Sequence, residues 1–172
     1  LSIEKHIPKD YLCGDVDQRY NILLGLLDTD GYATSSGVAE YSSSSPQLAK
    51  DVAYLARSLG GTAKLSIKEN PSYMHNGESR VGKTSYRVYI KLPPYMPLFS
   101  LPRKVSMLPN DIQRKEPYKA ITNISYVGDF EATCIAVDGP HNLYVAEDFI
   151  VTHNTFQMLE WAKFVHRKVG KP

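Results

Sequence analysis

Two carboxylates stand two positions apart at the end of an apolar segment, where residues 23–31 read Leu-Leu-Gly-Leu-Leu-Asp-Thr-Asp-Gly. The leucines and the helix-stopping Gly31 predict a helix whose last turn carries Asp28 and Asp30. Gly25 would let a second helix approach to backbone distance, because glycine has no side chain to hold the two apart. Asp30 would then project from the end of the contact between the two helices, toward whatever lies below it.

The same segment has two other interpretations. One is an ordinary amphipathic helix closed by an Asp-Thr-Asp-Gly turn. The other is a calcium-binding loop, which requires Gly at the sixth position and Glu at the twelfth, counted from Asp28. Those positions hold Ala33 and Ala39, so the calcium loop is excluded.

A second group of candidate residues is basic. Apolar and polar residues alternate well enough to predict strands over residues 62–68 and 84–92, joined by a polar loop. Because successive side chains of a strand point to opposite faces, several of these cations share one face, where they could neutralise DNA phosphates. A solvated strand face is the alternative. The basic residues are Lys64, Lys68, Arg80, Lys83, Arg87 and Lys91.

Residues 77–84 also fit the nucleotide-binding pattern G-x-x-x-x-G-K-[ST]. That loop requires a buried strand before it and a helix after it, so that backbone amides and the helix N-terminus hold the phosphates. Here a polar segment containing Pro71 precedes the match, and strand-like sequence follows it. The context argues against a nucleotide site, and a P-loop nucleotidase is kept as the alternative.

The third candidate group is a triplet near the end of the chain. The amide of Asn154 can attack its own main-chain carbonyl and cut the chain after itself, leaving a succinimide. The imidazole of His153 can protonate the leaving nitrogen or hydrogen-bond the oxyanion. The hydroxyl of Thr155 can first receive an acyl group. Taken alone, a His-Asn-Thr triplet is an ordinary loop sequence.

Two stretches resemble known families. Residues 23–31 resemble the LAGLIDADG (dodecapeptide) motif of homing endonucleases, and residues 131–154 resemble the two C-terminal splicing blocks of inteins. The two stretches lie about 120 residues apart, in the order expected for an intein with an embedded LAGLIDADG endonuclease. The motif positions that are identical are Leu23, Gly25, Leu26, Asp28, Asp30 and Gly31.

The endonuclease resemblance implies a set of roles in cleaving double-stranded DNA. Asp30 would bind a divalent metal, Mg²⁺, together with its counterpart from another repeat, while Asp28 would be a structural cap. Lys83 would be the basic residue near the metal, where it polarises water or stabilises the phosphate. The implied DNA-binding residues are Lys64, Lys68, Arg80, Arg87 and Lys91.

The intein resemblance implies a second set of roles. Asn154 would cyclise, His153 and His141 would supply acid and oxyanion support, and Thr155 would be the acyl acceptor. Cys134 takes a position where many inteins have Asp. It is interpreted either as a group for proton transfer or polar orientation, or as a small buried residue.

The predicted fold class is α+β. Residues 1–115 are expected to form one LAGLIDADG repeat (α-β-β-α-β-β-α), ending in a packing helix within residues 93–110. Residues 116–154 would be the β-rich C-terminal part of a Hint (intein) domain, with strands over 118–127, 132–137, 143–145 and 149–152. Residues 155–172 form an amphipathic pattern that looks like the P-loop helix of a Swi/Snf-type helicase, here a C-extein.

Composition adds limits. A net charge of +2 and 42% hydrophobic residues suit a folded protein but do not by themselves indicate nucleic-acid binding. Cys13 and Cys134 lack metal-binding spacing, which predicts a reducing compartment, the cytoplasm of a prokaryotic or phage-infected cell. No apolar run approaches the roughly 20 residues that span a bilayer.

The chain lacks an initiator Met, an upstream nucleophile and a first LAGLIDADG helix. We therefore expect a fragment whose partners are the N-terminal intein half and the first repeat, inactive without them. An endonuclease remnant that binds DNA without cleaving it, in an intein that only splices, is the alternative.

Overall fold

The computed structural model describes residues 2–109, 117–126, 128–129, 131, 135, 137–138 and 141–152. Mixed α and β elements fill two compact units, Leu1–Ala120 and Ile121–Pro172. The elements are α1 (Lys9–Leu12), α2 (Val16–Asp30), β1 (Gly31–Ala33), β2 (Ala39–Ser43), α3 (Pro46–Ser58), β3 (Thr62–Lys68), β4 (Ser72–His75), β5 (Glu78–Val81), β6 (Ser85–Lys91), α4 (Pro102–Val105), β7 (Tyr144–Ala146) and β8 (Ile150–Thr152).

The predicted helix at the acidic segment is confirmed as α2. It begins after Asp15, whose carboxylate accepts a hydrogen bond from the Gln18 amide at 2.7 Å, and such a cap satisfies a donor that the helix leaves unpaired. At the other end Gly31 is extended, with φ −78°, and passes directly into β1. Glycine is required there for space, because a Cβ would lie 2.5 Å from the Leu27 carbonyl oxygen.

The first unit contains a four-stranded antiparallel sheet in the order β1-β2-β6-β3. Strands β1 and β2 form a hairpin directly after α2, and β3 and β6 confirm the two strands predicted at residues 62–68 and 84–92. Helices α2 and α3 pack on one face of this sheet, where Tyr41, Val88 and Ile90 are buried. Because side chains alternate along a strand, the remaining strand residues form an opposite face that these helices do not cover.

Helix α3 also holds the beginning of the chain. Ser45 caps it by accepting from the Leu48 amide at 3.1 Å, and the Ser45 hydroxyl donates to the Lys5 carbonyl at 2.5 Å. One turn into the helix, buried Asp51 accepts from the Ile7 amide at 2.8 Å. The segment before α1 is thereby fixed beside the helices.

The polar loop predicted between β3 and β6 contains a hairpin instead. Strands β4 and β5 pair in register around Asn76 and Gly77, which have φ values of 51° and 83°. Asn-Gly with both residues at positive φ is the preferred two-residue hairpin turn, so the loop prediction overlooked a local signal. All residues of both strands are exposed, and the hairpin forms an arm beyond the sheet.

The packing helix predicted within residues 93–110 is reduced to one turn, α4. Four prolines between residues 93 and 102 prevent a longer helix, since each removes a backbone donor and restricts the residue before it. Pro102 occupies the first turn of α4, where its missing N–H has no cost. The buried Leu98 and Phe99 nevertheless complete the core, as a packing helix would.

The second unit has less regular structure in its described residues. The predicted strand at 118–127 is not formed over residues 117–126, whereas the last two predicted strands correspond to the antiparallel pair β7 and β8. The strand predicted at 132–137 falls largely outside the described residues, as does the helix predicted at 155–172. Among the described helices, none has the length and apolarity needed to cross a membrane.

Candidate nucleic-acid interface and acidic helix end

The uncovered side of the four-stranded sheet, called the outer face here, carries most of the basic residues singled out from the sequence. Lys64, Lys68 and Lys91 are exposed there, and Arg87 lies between them. The outer face consists of Tyr32, Glu40, Ser42, Thr62, Lys64, Ser66, Lys68, Ser85, Arg87, Tyr89 and Lys91. Its four cations stand against one acid, and its other side chains are hydroxyl donors and acceptors.

The Arg87 guanidinium contacts that acid, with Nη1 3.1 Å from Glu40 Oε1. Both side chains are partly covered, at 34% and 20% exposure. The pair therefore lies within the sheet surface, whereas the three lysines extend from it. The fifth predicted DNA-binding residue, Arg80, lies on the arm, where its exposed side chain pairs with Glu78 at 3.5 Å.

A shallow cavity of about 410 Å³ opens at the end of the outer face nearest the β1–β2 turn. It is lined by Lys64 and Lys91, by the hydroxyls of Thr34 and Ser36, and by Tyr89 among others. Thr34 shapes the turn, because its hydroxyl donates to the Val38 carbonyl at 2.8 Å. Cations and hydroxyls around a concave surface suit an anion such as a phosphate.

The two carboxylates at the end of α2 have different surroundings. Asp28 is 9% exposed and accepts hydrogen bonds from the Ser100 amide at 2.9 Å, the Leu101 amide at 3.2 Å and the Ser100 hydroxyl. Burial acts to raise the pKa of Asp28, but these hydrogen bonds outweigh it and hold the pKa below its ordinary value. Asp28 caps the segment that begins α4, which matches the structural role expected for it.

Lys104 was not singled out from the sequence, yet it is the basic residue at the end of α2. Its ammonium donates to the carbonyls of Leu27 at 2.8 Å, Thr29 at 3.3 Å and Gly31 at 2.6 Å. Burial lowers the pKa of Lys104, an effect that Arg103 reinforces and the carboxylates of Asp28 and Asp30 oppose. A cation at this position satisfies carbonyls that a helix C-terminus leaves without partners.

Asp30 is exposed at the tip of α2, within electrostatic reach of the Lys104 ammonium. It also acts on Tyr41, because burial chiefly, and the Asp30 charge secondarily, raises the pKa of Tyr41 to about 12. Within the described ranges, no group of three or more His, Cys, Asp or Glu could hold a metal ion. Mg²⁺ is commonly held by one or two carboxylates with phosphates and waters, so Asp30 fits as one ligand of a shared site.

The structure does not bring Lys83 together with Asp30. Asp30 ends α2, which leads into β1, whereas Lys83 lies between β5 and β6, and the described residues show no hydrogen bond or ion pair between the two side chains. Its nucleotide-binding pattern also lacks the required context. Residues 77–84 run from the arm turn through β5 and are followed by the strand β6 rather than by a helix, so the strand–loop–helix arrangement that a P-loop requires is not formed and the P-loop alternative is wrong.

One side of α2 is turned away from the core. Apart from the nearby backbone of α2, no atom of the described residues lies within 4 Å of the Cβ position of Gly25, and Ile22 and Leu26 are only partly buried. These two residues line an apolar cleft of about 600 Å³, whose other wall includes Ile7 and Tyr11. The side of α2 that the sequence predicts for helix–helix contact is therefore left open by the part of the chain that the structure describes.

Of the predicted splicing residues, His141 is exposed in a turn before β7. Cys134, His153, Asn154 and Thr155 lie outside the described residues. Strand β8 ends at Thr152, so the β7–β8 hairpin leads directly to the predicted junction. The roles of these residues stay predictions.

Comparison with protein families gives a match over the helices and sheet of the first unit. Residues 17–92 match the family model described as a LAGLIDADG-like domain. The match spans 76 of the 172 residues, and this segment is similar to a LAGLIDADG-like domain. Domains of this kind bind double-stranded DNA and are typically DNA-cleaving homing endonucleases, which use divalent metals.

A curated relative extends beyond the LAGLIDADG-like domain. The replicative DNA helicase DnaB of Mycobacterium intracellulare is 31% identical over 163 residues, which cover 92% of this chain and 27% of the helicase. Since only about 14 residues of the chain lie outside the match, it includes residues 17–92 and also residue 154. The chain thus spans about a quarter of the length of that relative.

Proposed function

We propose that this chain is part of an intein whose LAGLIDADG-like domain, over residues 1–115, is the second repeat of a homing endonuclease. The observation that carries the proposal is the outer face, an exposed antiparallel surface with four cations against one acid. Such a surface releases counterions when it meets the phosphates of duplex DNA, and its hydroxyl-bearing side chains can contact base edges.

In this proposal Asp30 supplies one carboxylate to Mg²⁺ at the scissile phosphates, and a second repeat supplies the other. The metal, when bound, stabilises charge that develops on the phosphate. The open side of α2 at Gly25 supports a second helix at backbone distance, which would bring a second acidic tip beside Asp30.

Lys104 is proposed as a positioning residue, since its ammonium holds three carbonyls around the turn that carries Asp30. For Lys83 the family resemblance implies that it polarises water or stabilises the phosphate near the metal, and its exposed side chain at the base of the arm would also suit contact with a more distant phosphate. Replacing each lysine by glutamine in the cleavage assay below separates the two assignments.

Residues 116–154 are proposed to be the C-terminal splicing segment. Tyr118, Ile121, Ile124 and Tyr126 are each at least 80% exposed, which supports a stretch that pairs with strands from elsewhere. A helicase relative that includes the equivalent of residue 154 supports an insertion within a helicase host. Asn154 would then cyclise with help from His153 and His141, Thr155 would accept the acyl group, Cys134 would assist, and residues 155–172 would be host sequence.

DNA binding by the full 172-residue chain tests the central claim. Fluorescence anisotropy with labelled duplex DNA, repeated from 50 to 200 mM salt, is expected to show affinity that falls steeply with salt. Lys64→Gln should weaken binding on every duplex. The matched control is Lys50→Gln, because Lys50 is exposed on α3, on the other side of the sheet. Binding that is absent, or equally affected by both variants, would refute the outer face as the interface.

Cleavage and splicing are tested in the longer protein that also supplies a first repeat and an upstream nucleophile. Cutting of a duplex that spans the uninterrupted host gene should require Mg²⁺ and be lost with Asp30→Asn. Binding without cutting would favour the alternative, an endonuclease remnant that binds DNA without cleaving it. Mass spectrometry should detect release of the sequence after residue 154 and its loss in Asn154→Ala; an Asn154→Ala protein that still splices would contradict the junction.

A further inference from the structure

The outer face holds its one acid at its centre. In the strand register Arg87 stands opposite Ser42 on one side and Ser66 on the other, and Glu40 is its diagonal neighbour. The neighbours of Arg87 are thus small serines, whereas Glu40 stands between Tyr32 and Tyr89. The strands of this sheet are fully described, and Glu40 is the sole carboxylate on their outer face.

The bonding of Arg87 is incomplete. A guanidinium has five N–H donors, and one nitrogen is satisfied by the Glu40 carboxylate. Arg87 Nε is covered yet makes no hydrogen bond to the part of the chain that the structure describes. A buried donor without an acceptor is unfavourable, so the side chain gains a partner if it turns outward to an acceptor on a ligand.

A cross-strand ion pair stabilises a sheet, but this pair also places an acid in the middle of the cationic outer face. An acid at the centre of a phosphate-binding surface lowers affinity for every DNA sequence, because it removes net positive charge. A group that weakens binding generally can still favour one sequence over others, since specificity is a difference between affinities. The acid is therefore expected to take part in discrimination.

We propose that Glu40 and Arg87 together read one G·C base pair in the major groove. Arg87 would donate to O6 and N7 of the guanine, and Glu40 would accept from N4 of the paired cytosine, which are the edges those side chains recognise. The 3.1 Å contact holds the donor and the acceptor side by side, as the two halves of one base pair require. This inference rests on the proposed function, because it requires the outer face to meet duplex DNA.

The test uses the full 172-residue chain and duplex DNA selected from a randomised pool. Anisotropy at fixed salt then compares the selected duplex with duplexes in which each base pair in turn is replaced. Wild type should prefer G·C at one position by at least about tenfold. Arg87→Lys, which keeps the charge but loses the planar fork, should bind without that preference. Glu40→Gln should bind unselected DNA more tightly and lose the same preference.

Lys91→Gln is the matched control on the outer face. It should weaken binding to all duplexes by a similar factor and keep the G·C preference, because phosphate contacts carry no base information. Thermal melts test whether each variant is folded. If either Arg87→Lys or Glu40→Gln is unfolded, the other variant decides alone, because both are expected to lose the same base preference.

The outcomes separate this inference from the proposed function. If Arg87→Lys and Glu40→Gln keep the wild-type base preference, Glu40 and Arg87 do not read a G·C base pair. The same holds if the wild-type chain has no base preference. In both cases the proposal that the outer face binds DNA stands. A wild-type chain with no salt-dependent binding to duplex DNA overturns both proposals.

Discussion

The end of α2 and the outer face both contain charged residues, but their charges are used in opposite ways. At the helix end, buried Lys104 and Asp28 are bonded to backbone and side-chain groups around them. On the outer face, three lysines extend into solvent and one arginine has an incomplete set of bonds. The first arrangement fixes geometry, and the second leaves charge available for a partner. Substitutions should therefore affect stability at one region and binding at the other.

The largest loss of stability is expected from Lys104→Met. The variant leaves the carbonyls around the end of α2 without their donor, and each buried polar group that loses its partner costs about 1–3 kcal/mol. We expect the free energy of unfolding to fall by about 3 kcal/mol, measured by urea denaturation.

The neighbouring Arg103→Met is the control for that substitution. Arg103 is exposed on the same turn of α4, so its replacement should change the free energy by less than about 0.5 kcal/mol. Equal losses in the two variants would mean that the ammonium of Lys104 does not stabilise the end of α2.

The next largest effect separates the two carboxylates of the motif. Asp28→Asn weakens hydrogen bonds to an ionised group from Ser100 and Leu101, and we expect a loss of about 2 kcal/mol. Asp30→Asn should change the free energy of unfolding by less than about 0.5 kcal/mol, because Asp30 is exposed. Urea denaturation of both variants at neutral pH is the measurement. A loss confined to Asp30→Asn would reverse the roles assigned to the two residues.

A smaller effect should appear in the pH dependence of stability. The pKa of Asp28 lies below its ordinary value of 3.8 in the folded protein. Below that pH the unfolded chain takes up a proton that the folded chain does not, so stability falls as the pH falls toward the folded pKa. The difference between wild type and Asp28→Asn should be largest above pH 3.8 and shrink in acid. Denaturation from pH 2.5 to 6 measures it, and a constant difference would contradict the assignment.

The two regions also differ in how far the sequence alone could predict them. The outer face follows from period-two spacing, which is a local property: the sequence predicts that several of the six cations share one face, and the strand register places Lys64, Lys68, Arg87 and Lys91 there. The arm could have been found as well, from Asn76-Gly77. The contacts at the helix end could not be predicted, because in the sequence all four strands of the sheet lie between Asp30 and Lys104. No motif or spacing marks Lys104 as a partner of the helix.

The role of Lys83 at the acidic tip stays a prediction. It is implied by the resemblance to homing endonucleases, and Lys83 itself lies between β5 and β6. The packing segment after β6 was recognised from its apolar residues. Its prolines made its path unpredictable, and that path is what brings Lys104 to the carbonyls of α2.

The smallest effect on stability is expected on the outer face, and it tests the contrast between this surface and the end of α2. Lys68→Gln removes a charge at the exposed end of β3 and should change the free energy of unfolding by less than about 0.5 kcal/mol. It should instead reduce the slope of log affinity against log salt for duplex DNA by about 0.9, the value for one phosphate contact. Unfolding curves and anisotropy on the same preparation measure the two quantities together. A stability loss comparable with that of Lys104→Met, or an unchanged salt slope, would mean that Lys68 belongs to the packed structure and that the outer face is smaller than its strand pattern indicates.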